Sequence, residues 1–339
     1  MTASRPLDLY DLRFPEQPRW VKGDQYIRSA VRRVLKPFRG RGAGGLAKVT
    51  ANLTLGLEKL GIDFRLLNRP VEPRPDAMVG VLHGPVADCR GIAEHHPCIV
   101  GPGVLSVPQD WPDLFTSTQA VSLLQNCEWS AEIFRPMYKD RVTLWTMGVD
   151  HERYTPSSED SRKFDFLVYD KIRWPETPAI PGLVESCLEQ LTQRGCTWQY
   201  IRYGKYPRGR ENAYHEMLSS SRAMLFLCEC ETQGFAYNEA LSMNVPILAW
   251  NLGHIPNPQR FGYGPGPVPA TSVPYWDDRC GLSFQGIEDF PVQLNSFLAA
   301  LKHREFSPRE YVVENLTLEK AAQSYLALCR DSLRSPSLS

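Results

Sequence analysis

The fold of the chain can be inferred from residues 223–251, AMLFLCECETQGFAYNEALSMNVPILAWN. The apolar run MLFLC is typical of a strand buried on both faces, and it is interrupted by polar residues and Gly234. Residues 235–243 are predicted to form a short helix, which ends before Pro246 because the residue preceding a proline disfavours helical geometry. The apolar run at 247–250 then predicts a second strand, which completes a strand–loop–helix–strand unit.

This unit predicts an anion site. Gly234 lies at the N-terminus of the predicted helix, where free backbone N–H groups bind anions, phosphate above all. Two carboxylates bracket the glycine, Glu231 in the loop and Glu239 on the helix. A carboxylate on each side of a bound diphosphate can accept hydrogen bonds from hydroxyl groups. A nucleotide-sugar carries hydroxyl groups at both ends and therefore fits such a site. Spacing alone leaves an alternative open, in which Glu231 caps the helix and Glu239 is a solvated helical carboxylate.

Glu231, seven residues and then Glu239, with Gly234 between them and the tail EAL…PILAW, resemble a family signature. It is the E-x7-E motif of retaining GT-B glycosyltransferases of glycosyltransferase family 4. The resemblance implies that Glu231 contacts the donor sugar and Glu239 the ribose hydroxyls. It assigns the backbone of Gly234, Phe235 and Ala236 to the donor phosphates, and Gln233 of the same loop is a further candidate donor-binding residue. The family often has glycine where this chain has Ala236, so the backbone would approach the phosphate less easily.

Composition limits the class of protein. A chain of 339 residues predicts two domains of ordinary size, and a formal net charge of zero gives no global field that favours nucleic acid or membrane. Nine cysteines without a Cys-x-x-Cys pair are typical of reduced cytosolic thiols and argue against a zinc site. No apolar segment predicts a signal peptide or a membrane span. We therefore expect a cytoplasmic protein with no metal and no nucleic-acid partner.

A basic amphipathic helix is predicted within residues 20–41, after a first strand at 7–14. Its apolar residues recur at helical spacing across residues 27–38, and arginines and lysines fill the opposite face. The apolar stripe could pack on its own domain. Alternatively, residues 27–38 could lie on an anionic membrane surface as a peripheral contact.

The glycine run at 40–45, GRGAGG, formally contains G-x-G-x-x-G, and Asp63 follows at the distance of a ribose-binding acid. An NAD(P)-dependent oxidoreductase is therefore one alternative. The run follows a basic helix instead of a strand, so a glycine loop that opens a helix at 46–60 is the better interpretation. It resembles the N-terminal loop of the same family, which implies that Gly44 and Gly45 approach the donor phosphate or the acceptor.

His83 follows a predicted strand at 78–82. Ligands bind at the carboxyl ends of the strands of an open parallel sheet, so His83 is predicted to be a polar contact or a proton-handling group in a cleft. The alternative is a structural histidine. Further strands are predicted at 98–100, 117–123 and 141–147, with a helix at 128–138.

Two cations follow the predicted strand at 164–169. Lys171 or Arg173, facing the phosphate-binding helix, can neutralise a leaving diphosphate. The family usually has an arginine and a lysine further apart here, so we favour Lys171 and keep Arg173 as the second candidate. The alternative is that both are surface ions. The residues expected to contact base or phosphate after a strand at 198–203 are Tyr203, Gly204 and Lys205.

The resemblance implies the GT-B architecture, an α/β fold in which two Rossmann-like domains with parallel sheets face each other across a cleft. The predicted division is an acceptor domain at 1–155, a donor-nucleotide domain at 156–312, a helix at 313–331 that crosses back to the first domain and a disordered tail at 332–339. The implied reaction is metal-independent and cofactor-free. It moves a sugar, with retained configuration, from a nucleotide-sugar donor to a saccharide, lipid-linked or other acceptor. A catalytically silent GT-B protein that binds sugars or partners is the main alternative.

Overall fold

The computed structural model of the chain describes residues 5–13, 45–174, 178–205, 213–264 and 266–334. These residues form two parallel sheets with helices packed against them. The strands are β1 (Leu7–Asp11), β2 (Phe64–Leu67), β3 (Met78–His83), β4 (Cys98–Gly103), β5 (Ala120–Gln125), β6 (Val142–Leu144), β7 (Phe164–Asp170), β8 (Trp198–Arg202), β9 (Ser221–Leu227), β10 (Ile247–Trp250) and β11 (Gly281–Phe284). The helices are α1 (Gly45–Lys59), α2 (Val86–Ala93), α3 (Leu114–Ser117), α4 (Glu128–Tyr138), α5 (Leu183–Gln193), α6 (Ala213–Ser219), α7 (Phe235–Ser242), α8 (Phe290–His303), α9 (Pro308–Asn315) and α10 (Leu318–Arg334).

The first sheet has the strand order β2-β1-β3-β4-β5-β6, and all of its pairs are parallel. Every residue of β3 is buried, as expected when helices cover both faces of a parallel sheet. The carboxyl ends of β1, β3 and β4 lie together. Helix α1 begins at the same edge, where a Cβ on Gly103 of β4 would lie 3.0 Å from the side chain of Leu46. We call the described residues of 5–144, together with α10, the first lobe.

The second sheet has the order β11-β10-β9-β7-β8, again with parallel pairs only. The stretch at 223–251 supplies β9, α7 and β10, and it places Ile247 beside Met224. The strand predicted at 247–250 has these bounds, and the helix predicted at 235–243 ends one residue earlier. We call the described residues of 164–303 the second lobe.

Helix α10 packs on the first sheet, although it follows the second lobe in the chain. The indole N–H of Trp145 donates to the carbonyl of Ala321 at 2.9 Å, and the Trp145 ring meets the Tyr325 ring edge-on at 5.0 Å. The close approach depends on Gly80 of β3, where a Cβ would lie 2.1 Å from the Tyr325 hydroxyl. The end of the chain therefore ties the two lobes together.

Several predictions from sequence need correction or fall outside the described residues. The strand predicted from the run MLFLC begins three residues earlier, because α6 ends at Ser219 and Ser221 already pairs in β9. The short elements β11 and α9 were not predicted. The basic helix predicted across 27–38 and the glycines 40–44 lie outside the described residues. Among the described helices, none is long and apolar enough to span a bilayer.

Candidate functional site

The N-terminus of α7 is shaped by Gly234, which precedes it with a φ of 64° in the left-handed region. A Cβ at this position would lie 1.9 Å from Cε1 of Tyr237, so a side chain is excluded on two grounds. The amide of Gly234 donates to Oε2 of Glu231 at 3.0 Å. The amides of the first helical turn have no carbonyl partner within the helix, which leaves them available to an anion.

Glu231 receives two cations on one oxygen. Lys171 Nζ lies 2.5 Å and Arg173 Nη2 3.2 Å from Oε1 of Glu231, whose side chain is only 8% exposed. Burial raises the pKa of Glu231, but Lys171 and then Arg173 more than offset it, so the pKa lies below its usual value. The carboxylate is therefore ionised at neutral pH. Both cations that the sequence offered as candidates reach the same group.

Glu239 lies deeper on α7, with its side chain 4% exposed. Oε1 accepts a hydrogen bond from Lys48 Nζ of α1, which belongs to the first lobe. Oε2 is buried and has no hydrogen-bond partner among the described residues. Burial raises the pKa of Glu239, and Lys48 is the strongest opposing influence. Glu239 is thus no solvated helical carboxylate, and Lys48 is a site residue that sequence reasoning missed.

The two lobes meet at the loop before α7. A Cβ built on Gly45, the first residue of α1, would lie 3.1 Å from Oε1 of Gln233. The indole N–H of Trp129 donates to the carbonyl of Glu231 at 2.8 Å. The Phe235 side chain packs into the core of the first lobe. The structure therefore brings Gly45, Gln233 and Phe235 together where the lobes meet, whereas Gly44 lies outside the described residues.

The remaining loop residue of the predicted phosphate site is Ala236. Its carbonyl accepts a hydrogen bond from the Tyr214 hydroxyl at 2.5 Å. The Cβ of Ala236 is partly buried against the core of the second lobe. The contact with Tyr214 anchors the first turn of α7.

His83 lies at the carboxyl end of β3 and is fully buried. It sits beside Asp11 and close to Gly103, where a Cβ would be 1.8 Å from Nδ1 of His83. Burial lowers the pKa of His83 to about 4, against the attraction of Asp11. Neither ring nitrogen has a hydrogen-bond partner in the part of the chain that the structure describes. His83 therefore makes no hydrogen bond to the Glu231 cluster, by which we mean Glu231, Lys171, Arg173 and the amide of Gly234.

The buried neutral imidazole predicts a pH dependence of stability. A histidine in the unfolded chain takes up its proton near pH 6.5, whereas His83 in the folded protein does so only near 4. The unfolded state therefore binds more protons in this window, and the His83 contribution falls by up to about 3 kcal/mol as the pH drops. Urea unfolding between pH 4 and 7 should show a flatter decline for His83→Gln than for the wild type. The exposed His95→Gln serves as control, and identical slopes for wild type and His83→Gln would contradict the assignment.

Of the three residues predicted to contact the base or the phosphate, only Tyr203 borders the Glu231 cluster in the structure. The Tyr203 ring lies under the Lys171 ammonium, 5.0 Å from centroid to Nζ, and so borders the Glu231 cluster. Gly204 has a φ of 75°, and a Cβ there would meet nothing within 4 Å. Lys205 lines a cavity between β8 and α6 with Arg202, and no described residue lining that cavity belongs to the Glu231 cluster.

Asp63 does not fit the dinucleotide fingerprint. It precedes β2 and so lies at the amino end of that strand, opposite the edge where α1 begins. Its carboxylate is 69% exposed and forms an ion pair with Arg74 at 2.8 Å. A ribose-binding acid belongs at the carboxyl end of the strand. The position of Asp63 therefore argues against a nicotinamide site in this sheet.

The architecture is GT-B, as predicted from sequence. Each of the two α/β lobes contains a parallel sheet, and a helix N-terminus and two cations lie where the lobes meet. No family model matches the chain, and no curated protein matches it. Solved structures do match it along nearly its full length. A glycosyltransferase involved in avilamycin A biosynthesis, AviGT4, is 17% identical with a TM-score of 0.55, over 98% of this chain and 99% of that one.

Two synthases have a similar fold. Sucrose-phosphate synthase from Thermosynechococcus elongatus is 10% identical with a TM-score of 0.58, and the match covers 98% of this chain and all of that one. Trehalose-6-phosphate synthase OtsA is 10% identical with a TM-score of 0.51, over 83% of this chain and 76% of that one. At such low identity these matches establish the fold alone.

Proposed function

We propose that this protein is a retaining glycosyltransferase, which moves a sugar from a nucleoside-diphosphate sugar to a saccharide, lipid-linked or other acceptor without a metal ion. One observation carries the proposal: Lys171, Arg173 and the Gly234 amide converge on Glu231 at the N-terminus of α7, where the two lobes meet. Positive charge, free amides and a fixed carboxylate are the groups needed to bind a diphosphate and orient its sugar.

The chemistry follows from the charges. When the bond between the anomeric carbon and the diphosphate breaks, negative charge develops on the leaving phosphate oxygen. This charge is stabilised by the Lys171 ammonium, the Arg173 guanidinium and the helix N-terminus. Together these groups take the role that a metal ion would otherwise have. Glu231 holds both cations in place and orients the donor sugar. We see no second carboxylate placed as a nucleophile among the described residues of this cluster, so the acceptor is proposed to attack on the face from which the diphosphate departs.

A donor screen tests the proposal. Thermal unfolding is measured with UDP-glucose, GDP-mannose, ADP-glucose and dTDP-glucose, because a ligand that binds the native state raises the melting temperature. We expect one of them to raise it and to release its nucleotide in the presence of the protein. A rise without nucleotide release favours the silent sugar-binding protein. No rise with any of these sugars, together with a rise with NADPH, favours the oxidoreductase.

Glu239→Ala should weaken binding of the donor found in this screen by about 30- to 150-fold, the equivalent of about 2–3 kcal/mol for lost hydrogen bonds to a charged group. The effect should appear in the dissociation constant measured by calorimetry. Glu288→Ala removes an exposed carboxylate of the second lobe and serves as the matched control. Equal donor affinity in the wild type and in Glu239→Ala would remove Glu239 from the donor site.

A further inference from the structure

Lys48 of the first lobe reaches a buried carboxylate of the second. Lys48 on α1 contacts Oε1 of Glu239 on α7, and 191 positions separate the two residues in sequence. The Lys48 side chain is 31% exposed, whereas that of Glu239 is 4% exposed. The cation therefore comes from the solvent side of the junction, and the buried charge that it neutralises belongs to the opposite lobe.

The contact between Lys48 and Glu239 is part of a larger surface on α7 that packs against the first lobe. Phe235 and Glu239 are four residues apart, so they lie on one face of the helix. Phe235 packs into the core of the first lobe beside residues of α1, and the Lys48 ammonium lies 5.8 Å from its ring centroid. This face of α7 is thus the surface on which the first lobe rests. Lys48 bridges the lobes at the same turn where the proposed ribose contact lies.

One carboxylate oxygen of Glu239 lacks a hydrogen-bond partner. Oε2 is buried and has no hydrogen-bond partner among the described residues. Nearly all buried polar atoms in native proteins have a partner, and an unmet acceptor costs stability. A donor hydroxyl placed at Oε2 would supply the missing hydrogen bond while Lys48 keeps Oε1.

The charged and polar groups that act on Glu239 come from two segments of the chain. Lys48 faces it from α1, and Arg153 and Tyr154 act on its pKa from the segment after β6. The Tyr154 hydroxyl lies close enough to lower the pKa of Glu239 as a hydrogen-bonding group, but it completes no hydrogen bond to Oε2. Burial raises the pKa of Glu239 and Lys48 is the strongest group that lowers it, so Lys48 does most to favour the ionised carboxylate.

We propose that Lys48 is a positioning residue for the donor: it holds Glu239 through Oε1, so that Oε2 is presented to a hydroxyl of the nucleotide-sugar. Because Lys48 belongs to the first lobe, approach of this lobe to the second becomes part of donor binding. The inference rests on the proposed function, since it assigns Glu239 to the donor.

The test compares wild type, Lys48→Met and Lys48→Arg. Dissociation constants for UDP-glucose, GDP-mannose, ADP-glucose and dTDP-glucose are measured between pH 5 and 9. We expect Lys48→Met to weaken binding of the preferred sugar about 10- to 100-fold at pH 7. Without Lys48 the pKa of Glu239 rises further, so binding should be lost at a higher pH than in the wild type as the pH falls. Lys48→Arg restores the cation and should bring back both the affinity and the wild-type pH midpoint.

The outcomes separate the two claims. If the wild type binds one of the four sugars and Lys48→Met matches its affinity and pH midpoint, the inference is overturned and the proposed function stands. If the wild type binds none of them, the proposed function falls and the inference falls with it. Melting temperatures of all variants exclude unfolding as the cause, and Lys48→Gln replaces Lys48→Met if the latter fails to fold.

Discussion

Replacing Lys171 with Met should lower the kcat of sugar transfer by about 10²- to 10³-fold, with a smaller change in the KM for the donor. The ammonium lies 2.5 Å from Glu231 and at the N-terminus of α7, where the charge of the leaving diphosphate would develop. A group that acts mainly on this developing charge affects turnover more than it affects substrate binding. Steady-state rates of nucleotide release in the presence of acceptor measure both constants.

The loss of a buried partner could also destabilise the fold. Arg173 still contacts Glu231 at 3.2 Å, so Glu231 keeps one cation in Lys171→Met. We therefore expect the variant to fold and to lose less stability than a carboxylate left wholly unpaired would cause. Lys302→Met, at an exposed position of α8, is the control for removal of a lysine. A kcat within threefold of the wild type in a stable Lys171→Met protein would refute the role of Lys171.

The local part of the site could be predicted from sequence because its determinants are local. Gly234 is required because the backbone adopts a left-handed φ at this position. Its spacing to Glu231 and Glu239 follows from one loop and one helical turn. The choice between Lys171 and Arg173 could not be made in this way. The backbone N–H of Lys171 donates a hydrogen bond to the carbonyl of Leu227 at 2.8 Å. The backbone N–H of Arg173 donates a hydrogen bond to Oε1 of Glu229 at 3.0 Å. These two anchors on the neighbouring chain segment direct both cations to one oxygen.

What sequence reasoning missed depends on contacts distant in the chain. Lys48 looks like an ordinary polar position of a surface helix, and only the packing of α1 against α7 shows what it contacts. His83 was placed correctly at the end of a strand. Its burial, and with it a lowered pKa, could not be derived, because they depend on neighbours from β1 and β4. The start of β9 was missed for the same reason, since Ser221 is polar but pairs with Phe164.

Gly234→Ala should cost about 2–5 kcal/mol of stability, the sum of the left-handed backbone of a non-glycine residue and of overpacking. The added methyl group would lie 1.9 Å from the Tyr237 ring. That ring cannot easily move, because it is fully buried and its hydroxyl accepts a hydrogen bond from the Tyr275 amide at 3.0 Å. The first turn of α7 must therefore shift, which moves the amides of the anion site and should also abolish donor binding. Urea unfolding and calorimetry measure the two effects.

Gly182→Ala separates the two contributions to this loss. Gly182 also precedes a helix and has a φ of 74°, but a Cβ there would meet nothing within 4 Å. It should therefore cost only the backbone term, about 1–2 kcal/mol, and leave donor binding unchanged. The excess loss in Gly234→Ala then measures how tightly Tyr237 holds the loop against the helix. Equal losses in the two variants would mean that the ring yields to the methyl group, and the rigid anion site on which the proposed mechanism relies would not exist.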